Sequence, residues 1–271
     1  MDDAIMRRVA AALVAVRART SYLHAQFGRS ESKWKHDGTR VTAADLAISR
    51  AIFEELGKRF GEDQFFSEET EPGGNPVPLQ ARFAWILDPI DGTNNFALGI
   101  PFCAISLALL EHGVPVCGFV YDLGLRSLFH GGPGMGQFAD GVPIEAQTPE
   151  SHDTKIVAMH SPVDKAYLPL IERVLGDYKL RAFGSGALHL TYVALGRIDA
   201  CLDLTVRVWD IAAAWAFCRV AGVEVKCFAG PIFPLREFDL HMEPVRYLGG
   251  RPEVCAELVP KIRAAGIAVA D

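Results

Sequence analysis

The run Phe83-Ala84-Trp85-Ile86-Leu87-Asp88-Pro89-Ile90-Asp91-Gly92-Thr93 decides how the rest of the chain is read. An apolar stretch with the look of a buried strand ends abruptly in two aspartates, three residues apart. Pro89 cannot extend a central strand and Gly92 permits a tight turn, so the chain is expected to leave a sheet here and fold back. Two carboxylates in one turn repel each other unless a cation lies between them. Hard oxygen ligands of this kind suit Mg²⁺. The same residues also fit a turn whose aspartates accept hydrogen bonds from nearby backbone N–H groups, and on this fragment alone both readings stand.

Other acids add to the first reading. Glu68-Glu69 follows Phe65-Phe66-Ser67, an apolar run that turns acidic, as at a strand end or in a solvated loop. Asp210 lies in Val208-Trp209-Asp210-Ile211-Ala212-Ala213, the start of a buried helix, where the helix dipole would keep it ionised or where it would serve as an ordinary cap. Asp45 sits in Thr42-Ala43-Ala44-Asp45, which resembles a capping box. Taken together, these separated acidic sites can form one cluster of hard ligands. The sequence has no P-loop, no H-E-x-x-H and no G-x-S-x-G elbow. Gly184-Ser185-Gly186 reads as a turn opening a helix, where backbone N–H groups meet an anion or hydroxyl.

Outward from these residues, the pattern is mixed α/β. Helices are expected over 3–27, with Ile5, Val9, Leu13, Val16 and Leu23 as its apolar stripe, and from Thr42 to about Arg59, with Ile48, Ile52, Leu56 and Phe60. Pro72–Pro78 reads as an exposed loop and His36-Asp37-Gly38-Thr39 as a turn. Apolar runs at 83–87, 104–110, 116–121 and 127–129 form a strand meander, with a hairpin into Val142-Pro143-Ile144. Beyond a mild seam at 145–153, strands and helices alternate: strands at 155–159, near Leu180 and at 198–204, and helices at 164–175, 186–196, 210–221 and 252–265. The expectation is a single domain over 1–271, with sub-lobes of about 1–148 and 149–271.

The bulk properties exclude some functions. The 271 residues are half hydrophobic and carry a formal net charge of −6, which repels phosphate polymers and anionic membranes. No nucleic-acid partner and no membrane partner are expected. The six cysteines are scattered among apolar neighbours with no C-x-x-C pair, as in a reducing compartment. The N-terminus has two acids where a signal peptide carries basic residues. A cytoplasmic location is expected.

The motifs, in their order, resemble the inositol monophosphatase family, in the fructose-1,6-bisphosphatase-like superfamily. Asp88-Pro89-Ile90-Asp91-Gly92-Thr93-Asn94-Asn95-Phe96 is similar to its first signature and Trp209-Asp210-Ile211-Ala212-Ala213 to its second. Lys35, Asp37-Gly38, Val41-Thr42-Ala43-Ala44-Asp45 and Ser67-Glu68-Glu69 fall in the family's order. The resemblance implies a layered α-β-α-β-α sandwich, a homodimer and lithium sensitivity. It implies a Mg²⁺-dependent phosphomonoesterase with two or three ions per site, acting on a small sugar or polyol phosphate, inositol 1-phosphate above all, through a metal-activated water. Glu68, Asp88 and the Ile90 carbonyl would hold one ion, and Asp88, Asp91 and Asp210 a second. Glu68 would assist a third. Thr93 and Asp45 would orient and deprotonate the attacking water, and the Gly92 and Thr93 N–H groups would bind phosphate. Asp203 would receive substrate hydroxyls, Gly184 and Ser185 would flank the substrate ring, and Lys35 would lie near the ions. Ser67 and Gly186 depart from a usual Gly and Ala, and Asn94 stands where Thr, Lys or Arg is frequent, leaving the ligand set intact. Histidinol phosphate, fructose 1,6-bisphosphate and 3′-phosphonucleotides are the alternative substrates. A non-catalytic scaffold is the alternative of another class, marked by loss of Thr93, Asp45 or a ligand, all of which are present.

Overall fold

The computed structural model describes residues 2–34, 40–69, 76–146 and 154–269. Lys35, the turn at His36–Thr39, residues Pro72–Asn75 of the expected loop and most of the seam at 145–153 lie outside them. In chain order the first half runs α1 (Asp3–Gln26), β1 (Ser32–Trp34), β2 (Arg40–Thr42), α2 (Ala43–Gly57), β3 (Gln64–Ser67), β4 (Val77–Pro78), β5 (Phe83–Asp91) and α3 (Thr93–Leu98), then β6 (Ala104–Glu111), β7 (Val114–Asp122), β8 (Ser127–Gly132), β9 (Gly136–Ala139) and β10 (Val142–Ile144). The second half runs β11 (Ile156–Ala158), α4 (Leu168–Asp177), β12 (Lys179–Arg181), α5 (Gly186–Ala194), β13 (Ala200–Val206), α6 (Val208–Ala221), β14 (Glu224–Cys227), β15 (Glu237–Phe238), β16 (Val245–Gly250) and α7 (Pro252–Ala264).

A seven-stranded sheet has the order β10-β9-β8-β7-β6-β5-β3, antiparallel except for β3 beside β5. A five-stranded sheet has the order β12-β11-β13-β16-β14. Helices α1 and α2 pack together on one face of the first sheet, and α5 and α6 lie between the two sheets. Helices α4 and α7 cover the far face of the second. The layers are therefore α-β-α-β-α, a mixed α+β fold. Strand β5 is buried on both faces, which is why it reads as continuous apolar sequence rather than as alternation. Phe83, Trp85 and Leu87 face the α1/α2 side, and Ala84 and Ile86 face α6.

Three features differ from the reading of the sequence. The chain does not leave the sheet at Asp88: β5 continues through Pro89 to Asp91. Its register against β6 shifts between the pairs Asp88↔Ser106 and Asp91↔Ala104, so Pro89 and Ile90 face one β6 residue across a bulge. The other neighbour, β3, pairs only as far as Leu87, so no ladder bond is lost where proline lacks its N–H. Val77–Pro78, read as loop, pairs with Glu237–Phe238. The short helix α3 directly after the bulge was not foreseen.

A buried ion pair fixes α1 against β5. Arg8, an interruption of the helix's apolar stripe, places Nη2 2.6 Å from Asp63 Oδ1 and Nε 2.9 Å from Oδ2. Trp85 Nε1 donates to the same Oδ2 at 2.8 Å. Among the described residues no helix is long and apolar enough to cross a membrane. All six cysteines are free thiols and buried. Removing Arg8 would strand the Asp63 charge in the core, so Arg8→Ala is expected to cost about 3–5 kcal/mol of stability in urea unfolding. A loss well under that range would show that the pair does not anchor the helix.

Candidate active site

The acidic residues converge because several elements end at one place. Glu68 follows the end of β3, Asp88 and Asp91 flank the β5 bulge, and Asp210 sits in the first turn of α6. Ser106, directly opposite Asp88 in the ladder, donates to the Trp209 carbonyl at 3.4 Å, which ties the start of α6 to this point of the sheet. Ser67 is buried; it accepts from Ser49 at 3.0 Å and from the Glu69 N–H at 3.2 Å, so α2 holds the turn that presents Glu68. As a result, Glu68, Asp88 and Asp210 each bring a carboxylate oxygen within 4.8 Å of the others.

The local hydrogen bonds that the sequence allowed as an alternative are also present. Asp88 Oδ1 accepts from the Ile90 N–H at 3.0 Å, Asp45 Oδ2 from the Thr42 N–H at 2.7 Å, and Asp210 Oδ2 from the Arg207 N–H at 2.7 Å. A carboxylate has two oxygens and several lone pairs. One backbone bond fixes its orientation without exhausting it, so the turn and cap readings hold together with the cluster. Asp45 shows this directly, because its Oδ1 also accepts from Thr93 Oγ1 at 3.3 Å. The same hydroxyl lies 2.9 Å from the Ile90 carbonyl oxygen.

Asp91 stands beside the three-carboxylate group. Its Oδ2 accepts from Ser185 Oγ and, at 2.8 Å, from the Ala187 N–H at the start of α5. This bond draws Gly184 and Ser185 to the bulge. Asn95 adds a clamp, donating from Nδ2 to the carbonyls of Phe102 at 2.8 Å and Phe183 at 2.6 Å. Gly92 has φ 85°, and a Cβ there would stand 2.8 Å from the Phe102 carbonyl oxygen, so only glycine fits. It begins α3, whose first N–H groups have no carbonyl of their own helix to meet.

Electrostatic strain is concentrated at Asp88 and Asp210. Burial and the surrounding charges of Glu68, Asp91, Asp210 and Asp45 push the Asp88 carboxyl well above its ordinary range. Burial, with Asp91 and Glu68, does the same to Asp210. Asp91 is raised by burial, but its bond from Ser185 and the nearby His160 charge oppose the shift. Crowded carboxylates, of which Asp45, Asp88, Asp91 and Asp210 are each oriented by a backbone N–H, match the requirements of a hard divalent cation.

Asp203 is placed differently from the residues above. It is fully buried, and its carboxylate accepts from His160 (the N–H at 2.9 Å, Nδ1 at 3.0 Å), from His189 Nδ1 at 3.0 Å and from the Tyr247 hydroxyl at 3.2 Å. The sequence reading passed over His160, His189 and the clamp role of Asn95. The signal for His160 was available: it follows the apolar strand β11, as Glu68 follows β3.

The family model for the inositol monophosphatase family matches residues 2–265. The Nus factor SuhB of Salmonella typhimurium is 31% identical over 206 residues, covering 74% of this chain and 76% of the relative. A fructose-1,6-bisphosphatase/inositol-1-monophosphatase of Thermotoga maritima is 32% identical over 207 residues, with 75% and 78% covered. The solved structure of a Thermotoga maritima IMPase superposes with a TM-score of 0.79 at 28% identity, covering 96% of this chain and 98% of that one. The chain belongs to the inositol monophosphatase family and is an enzyme of the phosphoric monoester hydrolase class.

The raised carboxyls give a pH prediction. A pKa higher in the folded than in the unfolded chain means the folded state holds the proton more tightly, so metal-free stability falls as pH rises above the ordinary carboxylate range. Protons and a cation compete for the same oxygens. Mg²⁺ should therefore raise the melting temperature more at about pH 8 than at about pH 5.5. Asp88→Asn should raise the metal-free melting temperature by a few degrees and abolish the Mg²⁺ effect. Differential scanning fluorimetry reads both, and a Mg²⁺ effect that is absent or grows toward acid pH would contradict the assignment.

Proposed function

We propose that this enzyme is a Mg²⁺-dependent phosphomonoesterase for a small sugar or polyol phosphate of the inositol 1-phosphate type. The convergence of Glu68, Asp88 and Asp210 within 4.8 Å carries the reading. These three, with Asp91 and the Ile90 carbonyl, would hold the ions. Magnesium bound there would acidify a water molecule and offset the charge that develops on the phosphoryl and leaving oxygens.

The protein's own groups do the rest. The Asp45–Thr93 pair is a short proton path: the Thr93 hydroxyl, 3.3 Å from Asp45 Oδ1 and 2.9 Å from the Ile90 carbonyl, can turn its proton to Asp45 while accepting from a water in front of it. The Gly92 and Thr93 N–H groups, at the opening of α3, suit the phosphate oxygens. Gly184 and Ser185, drawn in by Asp91, would line the organic part of the substrate. Asp203 would act from behind, through His160 rather than by direct contact. The role of Lys35 rests on its place in the sequence motif. Six free thiols support a cytoplasmic setting. The exposed apolar residues Leu98, Ile100 and Phe102 support a homodimer.

With Mg²⁺ present, the pure protein should release phosphate from inositol 1-phosphate, and Asp88→Asn should abolish release with the fold intact by circular dichroism. Thr93→Ala should lower kcat by about 10²–10⁴ while Mg²⁺ binding, measured by calorimetry, persists. A Mg²⁺-loaded preparation that hydrolyses nothing in a broad phosphomonoester panel would refute the reading.

A further inference from the structure

The buried triad His160–Asp203–His189 has a charge state that its hydrogen bonds dictate. His189 Nε2 lies 3.1 Å from the Phe183 N–H, which can only donate, so Nε2 is an acceptor and the ring proton is on Nδ1. That proton points at Asp203, and His189 is neutral. Tyr247, the other donor to this carboxylate, is neutral as well. Hydrogen bonds and a countercharge both stabilise a buried carboxylate. Among the described residues, the one partner left to supply the countercharge is His160, whose Nδ1 is 3.0 Å from Asp203 Oδ1. The geometry points to His160 as an imidazolium, with Nε2–H as its outward donor.

The partly exposed ring lies beside the active site. His189 and Asp203 side chains have 0% exposure, whereas that of His160 keeps 20%. Its Nε2 has no hydrogen-bond partner among the described residues. A Cβ built on Gly186 would stand 3.3 Å from His160 Cε1 and 3.3 Å from the Asp210 Cβ, so the bare backbone at Gly186 is what leaves room for the ring beside the catalytic carboxylates. Gly186 directly follows Ser185, which is bonded to Asp91. Burial works against the imidazolium, but the charge and hydrogen bond of Asp203, with Asp91 and Asp210 further off, push the His160 pKa up to about 9. Burial would raise Asp203, yet the two imidazoles hold its carboxyl well below the usual range.

We propose that His160 Nε2–H is a specificity contact that selects substrates carrying an anionic group, a carboxylate or second phosphate, near the phosphorylated carbon. Asp203 is then a positioning residue for that donor. The inference rests on the phosphomonoesterase reading and moves its preferred substrate from an uncharged polyol phosphate to one that carries a second anionic group; an ammonium at this place is repelled, which disfavours amino-alcohol phosphates such as histidinol phosphate.

The test uses matched pairs: 2-phosphoglycerate against glycerol 2-phosphate, 3-phosphoglycerate against glycerol 3-phosphate, and serinol phosphate as the amine. The wild-type protein with Mg²⁺ should favour at least one acid over its neutral parent by about tenfold in kcat/KM, with the amine poorest, because a charge-assisted hydrogen bond discriminates at about that level. His160→Asn should bring the ratio close to one. No preference in the wild-type protein, or a preference that survives His160→Asn, overturns the proposal. Carbon-13 NMR supplies a readout that needs no turnover. The His160 Cε1–H signal, assigned by its loss in His160→Asn, should show an imidazolium at neutral pH and move on addition of 3-phosphoglycerate. A neutral ring or an unmoved signal overturns the proposal. Inositol 1-phosphate serves as the control: if the wild-type protein hydrolyses it but none of the acid esters, the proposal is overturned and the phosphatase reading stands, and if it hydrolyses neither these nor a broader panel, the phosphatase reading fails by itself and the NMR response alone decides the role of His160.

Discussion

Glu68, Asp88 and Asp210 place carboxylate oxygens within 4.8 Å of one another, with Asp91 and Asp45 close enough to add to the repulsion. Such an arrangement is costly for an isolated chain, and the fold is built to impose it. The two sheets and the helices between them bring the ends of β3 and β5 and the start of α6 to one point. Ser106, the strand partner of Asp88, donates to the Trp209 carbonyl beside Asp210 and so helps hold the two acids together. The bulge at Pro89–Ile90 then turns Asp91 toward α5 and leaves Gly92 to begin α3. The repulsion would become a store of binding free energy for a cation placed there, held by a scaffold with ordinary apolar cores.

Much of this was legible in the sequence because it is local. Apolar spacing marked α1 and α2, and the capping box at Thr42–Asp45 is present with both of its bonds. The unbroken run at 83–87 was a strand because both of its faces are covered by helices. The acids stood out because each interrupts or terminates an apolar run. What the sequence could not show depends on partners far along the chain. Pro89 reads as a strand end until β3 is seen to stop at Leu87 and β6 to slip by one residue. Arg8 interrupts the apolar stripe of α1, and its role is visible only where Asp63 and Trp85 close around it. Asp203 was marked only by the family resemblance, and its surroundings come from β11, α5 and β16, three elements that are adjacent only after folding.

The two readings open at each acid proved compatible. A helix cap and a metal ligand were rivals as sequence interpretations. Physically, they are the two oxygens of one carboxylate. Asp45, Asp88 and Asp210 each use one oxygen on a backbone N–H, which fixes the plane and direction of the group. This is a route to preorganisation that needs no further side chains, and it accounts for acids at helix starts and beside the β5 bulge, where backbone N–H groups are unpaired.

The central claim is that the carboxylate cluster is a cation site. A crystal grown with Mn²⁺ as a redox-stable, anomalously scattering stand-in for Mg²⁺ tests it most directly. The account predicts an anomalous peak bonded to Glu68, Asp88 and Asp210 oxygens. No peak there, with Asp88 and Asp210 sharing a proton at hydrogen-bond distance instead, would contradict it.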